Sequence, residues 1–94
     1  MIERIIVLDD TDPVIFFGAN NSNLQLIKSL YPKLRIVARG NIIKVIGEEL
    51  ELVGFEEKMR EMEKYCRDFN LLNEEAITGI VKGKNNNFDA LRKQ

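Results

Sequence analysis

Leu34-Arg35-Ile36-Val37-Ala38-Arg39-Gly40-Asn41-Ile42-Ile43-Lys44-Val45-Ile46-Gly47 is the stretch whose reading decides the fold. Two runs rich in Ile and Val flank Gly40-Asn41, a dipeptide able to supply the positive φ angles of a two-residue hairpin turn. With that dipeptide as the loop, Arg39 faces Ile42, Ala38 faces Ile43, Val37 faces Lys44, Ile36 faces Val45, Arg35 faces Ile46 and Leu34 faces Gly47. Side chains alternate across a strand, so the pairs sort onto two faces. Leu34, Ile36, Ala38, Ile43, Val45 and Gly47 form a wholly apolar face. Arg35, Val37, Arg39, Ile42, Lys44 and Ile46 form the other, with three cations among aliphatic groups. A slip of one residue would mix the sets, which fixes the register.

Working outward, Glu3 to Leu8 reads as a short strand closed by the Asp9-Asp10-Thr11-Asp12-Pro13 turn. Val14 to Phe17 reads as a second strand starting after Pro13, which has no amide to donate. Gly18 ends it, and Asn20-Asn21-Ser22 can cap a helix reaching about Tyr31, where Pro32 stops it. After the hairpin, Leu52, Phe55, Met59, Met62, Cys66 and Phe69 recur at spacings of three and four, so a helix runs from about Leu50 to Asn70. Glu56–Arg60 and Glu63–Arg67 are placed to pair along it. Gly54 weakens its first turns and is expected to let it approach the sheet closely. Asn73-Glu74-Glu75 caps a shorter helix through about Lys82. Gly83-Lys84-Asn85-Asn86-Asn87 has no periodicity, and Phe88 to Gln94 reads as at most a helical stub.

The chain's 94 residues, 45% hydrophobic and 31% charged, make one domain and exclude a largely disordered polymer. A lone Cys66 and no His exclude an internal disulfide and a His/Cys zinc site. No apolar run approaches the ~20 residues of a membrane span, and the N-terminus lacks a signal peptide's cationic and apolar regions. A soluble, cytoplasmic protein with no membrane partner is the expectation. The net charge of −1 hides an asymmetry: Pro13 to Gly47 contains Lys28, Lys33, Arg35, Arg39 and Lys44 and no acid. Such a basic segment attracts polyanions, although surface cations also serve solubility alone.

Catalytic chemistry does not converge anywhere. The carboxylates fall on the solvent face of the long helix, and Cys66 reads as a small core residue with no His to activate it. Gly79-Ile80-Val81-Lys82-Gly83-Lys84-Asn85 fails as a phosphate loop: three residues rather than four separate the glycines, and Asn85 replaces the magnesium-binding hydroxyl. It also follows a helix instead of a strand. The sequence therefore predicts no catalytic residue, no metal ligand and no cofactor for this chain.

Two segments carry a family resemblance. Phe17-Gly18-Ala19-Asn20-Asn21-Ser22-Asn23-Leu24 and Ile36-Val37-Ala38-Arg39-Gly40-Asn41, continuing to Ile46-Gly47-Glu48, are similar to the N-terminal domain of PhoH-like proteins, over about Val14 to Tyr65. That resemblance implies a KH-like α+β fold ordered β-α-β-β-α, its small, mostly antiparallel sheet covered on one face by helices. Residues 1–82 would be this domain, with a core of about 14–70 and a short helix at about 74–82. Residues 83–94 would be a polar linker toward a downstream P-loop ATPase domain of the same polypeptide, to which ATP and magnesium would belong. The implied ligand is RNA or single-stranded nucleic acid, and a homo-oligomer through the ATPase domain is a further implied partner. On this reading Arg35, Arg39, Gly40, Asn41, Lys44, Lys33 and Lys28 form the nucleic-acid-binding surface, with Val37, Ile42 and Ile46 under bases or sugars. The alternative is a docking or oligomerisation module that packs its outer hairpin face on the ATPase domain or a neighbouring subunit. KH domains clamp the nucleic-acid backbone with a Gly-x-x-Gly loop between two helices. Here Gly18-Ala19-Asn20-Asn21 lacks the second Gly, and the predicted elements leave room for only one helix between Phe17 and Leu34.

Overall fold

The hairpin forms in the expected register in a computed structural model that describes residues 1–83. Strand β2 (Arg35–Arg39) pairs antiparallel with β3 (Ile42–Gly47), setting Arg39 opposite Ile42, Ala38 opposite Ile43 and Ile36 opposite Val45. The turn departs from expectation in one angle. Gly40 alone has a positive φ, +57°, and Asn41 does not share it. A glycine at the first central position with an ordinary residue after it is the pattern of a type II′ turn.

Strand β1 (Ile2–Val7) pairs antiparallel along the other side of β3, from Ile2 opposite Gly47 to Val7 opposite Ile42. The sheet order is β1-β3-β2, so the hairpin's second strand is central. The N-terminal strand is therefore a full member of the sheet and not an appendage to a core that starts at residue 14. The result is an α+β domain: one antiparallel three-stranded sheet with helices.

Val14 to Phe17 is not a strand. It lies in helix α1 (Pro13–Phe17), whose first turn is fixed by Asp12: the Val14 amide donates to Asp12 Oδ1 at 2.9 Å. The β-branched and aromatic run suggests a strand, but Pro at the first helical position costs nothing, because that amide has no helical partner anyway. Capping decides the conformation here. A single 3-10 turn at Ala19–Asn21 leads into α2 (Ser22–Leu30). Asn21 does not act as a side-chain cap, contrary to expectation; it holds a left-handed backbone instead.

Helix α3 (Glu49–Phe69) buries Leu52, Phe55, Met59, Met62 and Cys66. Phe69, counted with that stripe in the sequence, is 60% exposed at the helix end, where it stacks on Tyr65 at 4.7 Å. Nothing lies within 4 Å of where a Gly54 Cβ would sit, so that glycine serves no close approach. Helix α4 (Glu74–Lys82) starts as expected at Asn73, whose Oδ1 accepts from the Ala76 amide at 2.8 Å. Gly83 closes it in a left-handed conformation. The linker and stub expected at Lys84 to Gln94 lie outside the described residues.

The core joins Ile36, Ile43 and Val45 of the sheet to Phe16, Phe17, Leu24, Ile27 and the α3 stripe, with Ile77 and Ile80 of α4. Helix α3 packs on β1 and β3 and also on α1 and α4, while α4 packs on α2. Tyr31 at the end of α2 meets Phe55 edge-on at 4.9 Å. The ion pairs differ from the two expected along the helix: Glu56 reaches Arg4 of β1 at 3.7 Å and Arg67 reaches Asp10 at 3.6 Å. Both tie the helix to the N-terminal segment, which sequence spacing alone could not reveal. Among the described residues, no helix is long and apolar enough to cross a membrane.

Candidate functional site

Two surfaces have functional character, and the first is the sheet face away from the helices. The two registers combine into three rows: Glu3–Ile46–Arg35, Ile5–Lys44–Val37 and Val7–Ile42–Arg39. Ile5 is 53% exposed, and Val7, Val37 and Ile42 are each more than 40% exposed. A shallow depression between Glu3, Ile5, Val37, Arg39, Ile42 and Lys44 occupies this face. Of the residues singled out from the sequence, Arg35, Arg39 and Lys44 lie here, all exposed. Gly40 and Asn41 form the exposed hairpin tip. Lys33 lies in the connection before β2 and Lys28 in the last turn of α2, so neither belongs to the sheet face. Sequence reasoning missed Glu3, Ile5 and Val7. Their alternation marks a strand, but nothing local says that β3 is the partner.

The second surface is a groove between the α1–α2 junction and β2. Gly18 has φ +81°, and a Cβ there would meet Ser22 Oγ at 2.9 Å and the Asn23 side chain at 3.0 Å, so both conformation and space require glycine. Asn20 and Asn21 follow with φ of 55° and 59°, both left-handed. Asn accepts that conformation better than other non-glycine residues because its short polar side chain bonds locally. The Asn21 amide donates back to the Gly18 carbonyl at 3.0 Å, closing a compact turn. Val14, Phe17 and Leu24 form the helical wall of the groove, Gly18, Asn20 and Asn21 its end, and Ala38 and Gly40 the strand side.

Hydrogen-bond alternation gives the strand side its chemistry. The Leu8 amide donates to the Asn41 carbonyl at 2.8 Å, continuing the β1–β3 ladder. Backbone groups alternate along an antiparallel strand, so Ile43 and Val45 also bond toward β1, and Ile42, Lys44 and Ile46 toward β2. Their partners Arg39, Val37 and Arg35 are thereby satisfied. Ile36 and Ala38 point their N–H and C=O groups the other way, off the free edge of β2, and Ala38 faces the groove.

Cys66 is 3% exposed, and burial, then the charges of Asp12 and Glu63, push its thiol above the usual range. It is chemically quiet. Burial and the nearby Asp10 and Asp9 push the Glu63 carboxyl up, against the opposing pull of Arg67 and Arg60. Among the described residues, no group of three or more His, Cys, Asp or Glu side chains is arranged to hold a metal ion. No protein-family model, curated protein or solved structure matches this chain.

Proposed function

We propose that this domain binds RNA or single-stranded DNA in the groove between the Gly18–Asn21 turn and the free edge of β2. It would serve as a cytoplasmic accessory module that places substrate for a P-loop ATPase domain. The observation that carries the reading is the order β1-α1-α2-β2-β3-α3, in which a Gly-x-x-Asn turn joins two helices beside an edge strand. A KH domain needs its backbone-clamping loop between two helices. Finding α1 removes the objection that only one helix fits there. The second departure, Asn21 for glycine, is met by its φ of 59°, the left-handed region glycine would supply.

The chemistry suits a single strand. The α2 N-terminus opens at the turn with no side-chain cap, leaving amides and the helix dipole available to a phosphate. Apolar Val14, Phe17 and Leu24 give bases a surface, and the edge groups of Ala38 can meet a base's polar edge. Arg39 stands beside Gly40 at the groove's strand side and supplies cationic charge. The lack of aromatic residues on the outer sheet face argues against strong stacking there.

The test is fluorescence anisotropy of a short labelled RNA at several salt concentrations. Asn20→Asp with Asn21→Asp preserves shape and sets two negative charges where phosphates would sit, so affinity should fall by more than about tenfold. Replacing Arg35, Arg39 and Lys44 together by Ala should flatten log K against log salt by about 0.7 for each phosphate no longer neutralised. Absence of salt-dependent binding by the unaltered protein, even at low salt, overturns the proposal.

A second reading, docking of the outer sheet face on another domain or subunit, is favoured by one observation: the exposed Ile5, Val7, Val37 and Ile42 form a contiguous patch, the usual mark of an interaction surface. Unchanged RNA affinity in the Arg35, Arg39, Lys44 triple variant would assign that face to docking.

A further inference from the structure

We propose that Asn23 is a positioning residue for the groove, and that through it the shape of the Gly18–Asn21 turn depends on the seating of α4. The inference rests on the nucleic-acid reading for its functional consequence and on geometry for its mechanism. Asn23 is 3% exposed, one of few polar side chains in the core. Its Nδ2 donates to the Phe16 carbonyl at 3.0 Å and to the Leu72 carbonyl at 2.7 Å. Both partners are acceptors, so the nitrogen with its two hydrogens must be the atom between them.

These two bonds join segments far apart in the chain. Phe16 lies in the last turn of α1, where helix carbonyls have no helical partner. Leu72 lies in the connection between α3 and α4, 49 residues from Asn23. Gly18 passes directly over the same carboxamide, whose Cγ and Nδ2 a Gly18 Cβ would meet at 3.0 Å. One side chain thus sets where α1 ends, where the turn begins and where the α3–α4 connection lies.

The connection is held in turn by α4. Asn73 caps that helix one residue after Leu72, and Ile77 and Ile80 anchor it in the core. Lifting α4 withdraws the Leu72 carbonyl and leaves the carboxamide with one anchor instead of two. The turn then loses the fixed neighbour that defines its floor. A partner that grips α4 and a ligand in the groove are therefore coupled, and by linkage each changes the other's affinity by the same factor.

The experiment is amide hydrogen exchange on the full chain, paired with the RNA titration. Asn23→Ala and the isosteric Asn23→Asp, which cannot donate, should both accelerate exchange at Gly18 to Ser22 by about tenfold or more, the effect of losing a buried hydrogen bond. The hairpin amides from Ile36 to Val45 should hold their rates. RNA affinity should fall with the turn's protection. Ile77→Val, a one-methylene change beneath α4, should speed the turn before the hairpin and decides the matter if both Asn23 variants fail to fold. Unchanged exchange at the turn, or equal acceleration everywhere as global destabilisation gives, overturns the inference. If the unaltered protein does not bind RNA, the functional proposal fails, while the exchange rates still decide whether Asn23 couples α4 to the turn.

Discussion

Gly47→Ala tests whether the sheet's apolar face is packed as described, because this glycine is required by space and not by conformation. Its φ is not positive. A Cβ there would overlap Leu34 Cδ2, and would touch Leu34 Cγ and the Lys33 carbonyl at an ordinary 3.7 Å. Leu34 is 9% exposed and its amide is tied to the Tyr31 carbonyl at 3.0 Å, so its side chain can retreat only by disturbing the core. Overpacking of this kind costs about 1–3 kcal/mol. Against that, Ala narrows the unfolded ensemble relative to Gly and returns about 0.4–1 kcal/mol. The net expectation is a loss of about 1–2 kcal/mol, read by urea denaturation. The decisive measurement is the double-mutant cycle with Leu34→Ala, itself costing about 2–4 kcal/mol. With Leu34 truncated the clash is gone, so Gly47→Ala should become neutral or stabilising. If Gly47→Ala costs the same in both backgrounds, within about 0.5 kcal/mol, the two residues do not touch and the packing argument fails.

Cys66 should resist a thiol reagent at pH 8 in native buffer and react quickly in denaturant, since its sulfur is buried and its thiolate disfavoured; complete native labelling within seconds would contradict the described core. Glu63→Gln should stabilise the protein at pH 7 by less than about 1 kcal/mol, the partly exposed side chain limiting the effect. The sign follows from a folded pKa raised above the ordinary carboxylate value: folding strength falls as pH rises through that window, so the gain should vanish below about pH 4. A gain persisting at low pH would show that packing, not charge, is responsible. Lys44→Leu should make the outer sheet face continuous in aliphatic side chains and produce concentration-dependent self-association in sedimentation, which the unaltered protein should lack. A variant that stays monomeric at high concentration would show that this lysine does not hold copies of the chain apart.

How far the sequence could be read depended on the range of the interaction. The hairpin register was legible because the Gly40-Asn41 turn and two alternating patterns agree locally. The α3 stripe was legible for the same reason, until Phe69, where the helix outruns what covers it. Val14 to Phe17 misled because its composition is that of a strand, while the deciding interaction is one Asp12 cap and a proline in the position that needs no amide. That one error hid the second helix and with it the groove. Asn23 carries no local signal either: its partners are 7 and 49 residues away, and an Asn beside a polar turn reads as solvent-facing.

The place of Lys44 explains how an exposed aliphatic face can coexist with a free-standing domain. It occupies the middle of the three-by-three array, flanked by Ile5 and Val37 across the strands and by Ile42 and Ile46 along β3. Any twofold axis lying in the face and passing through that centre sets Lys44 against its own copy. Like charges brought together as water is excluded oppose such pairing, whereas the same lysine costs little while it faces solvent. A self-complementary interface would need an apolar or neutral centre here. Glu3 and Arg35, at the two ends of one row, would each find the opposite charge in a pairing about an axis along β3, so only the central residue forbids it. The array therefore selects against its own copy and favours a partner with a carboxylate opposite Lys44 and aliphatic groups around it. That requirement separates docking from nucleic-acid binding on this face. A phosphate could satisfy Lys44, but it would leave the surrounding aliphatic ring without an apolar partner.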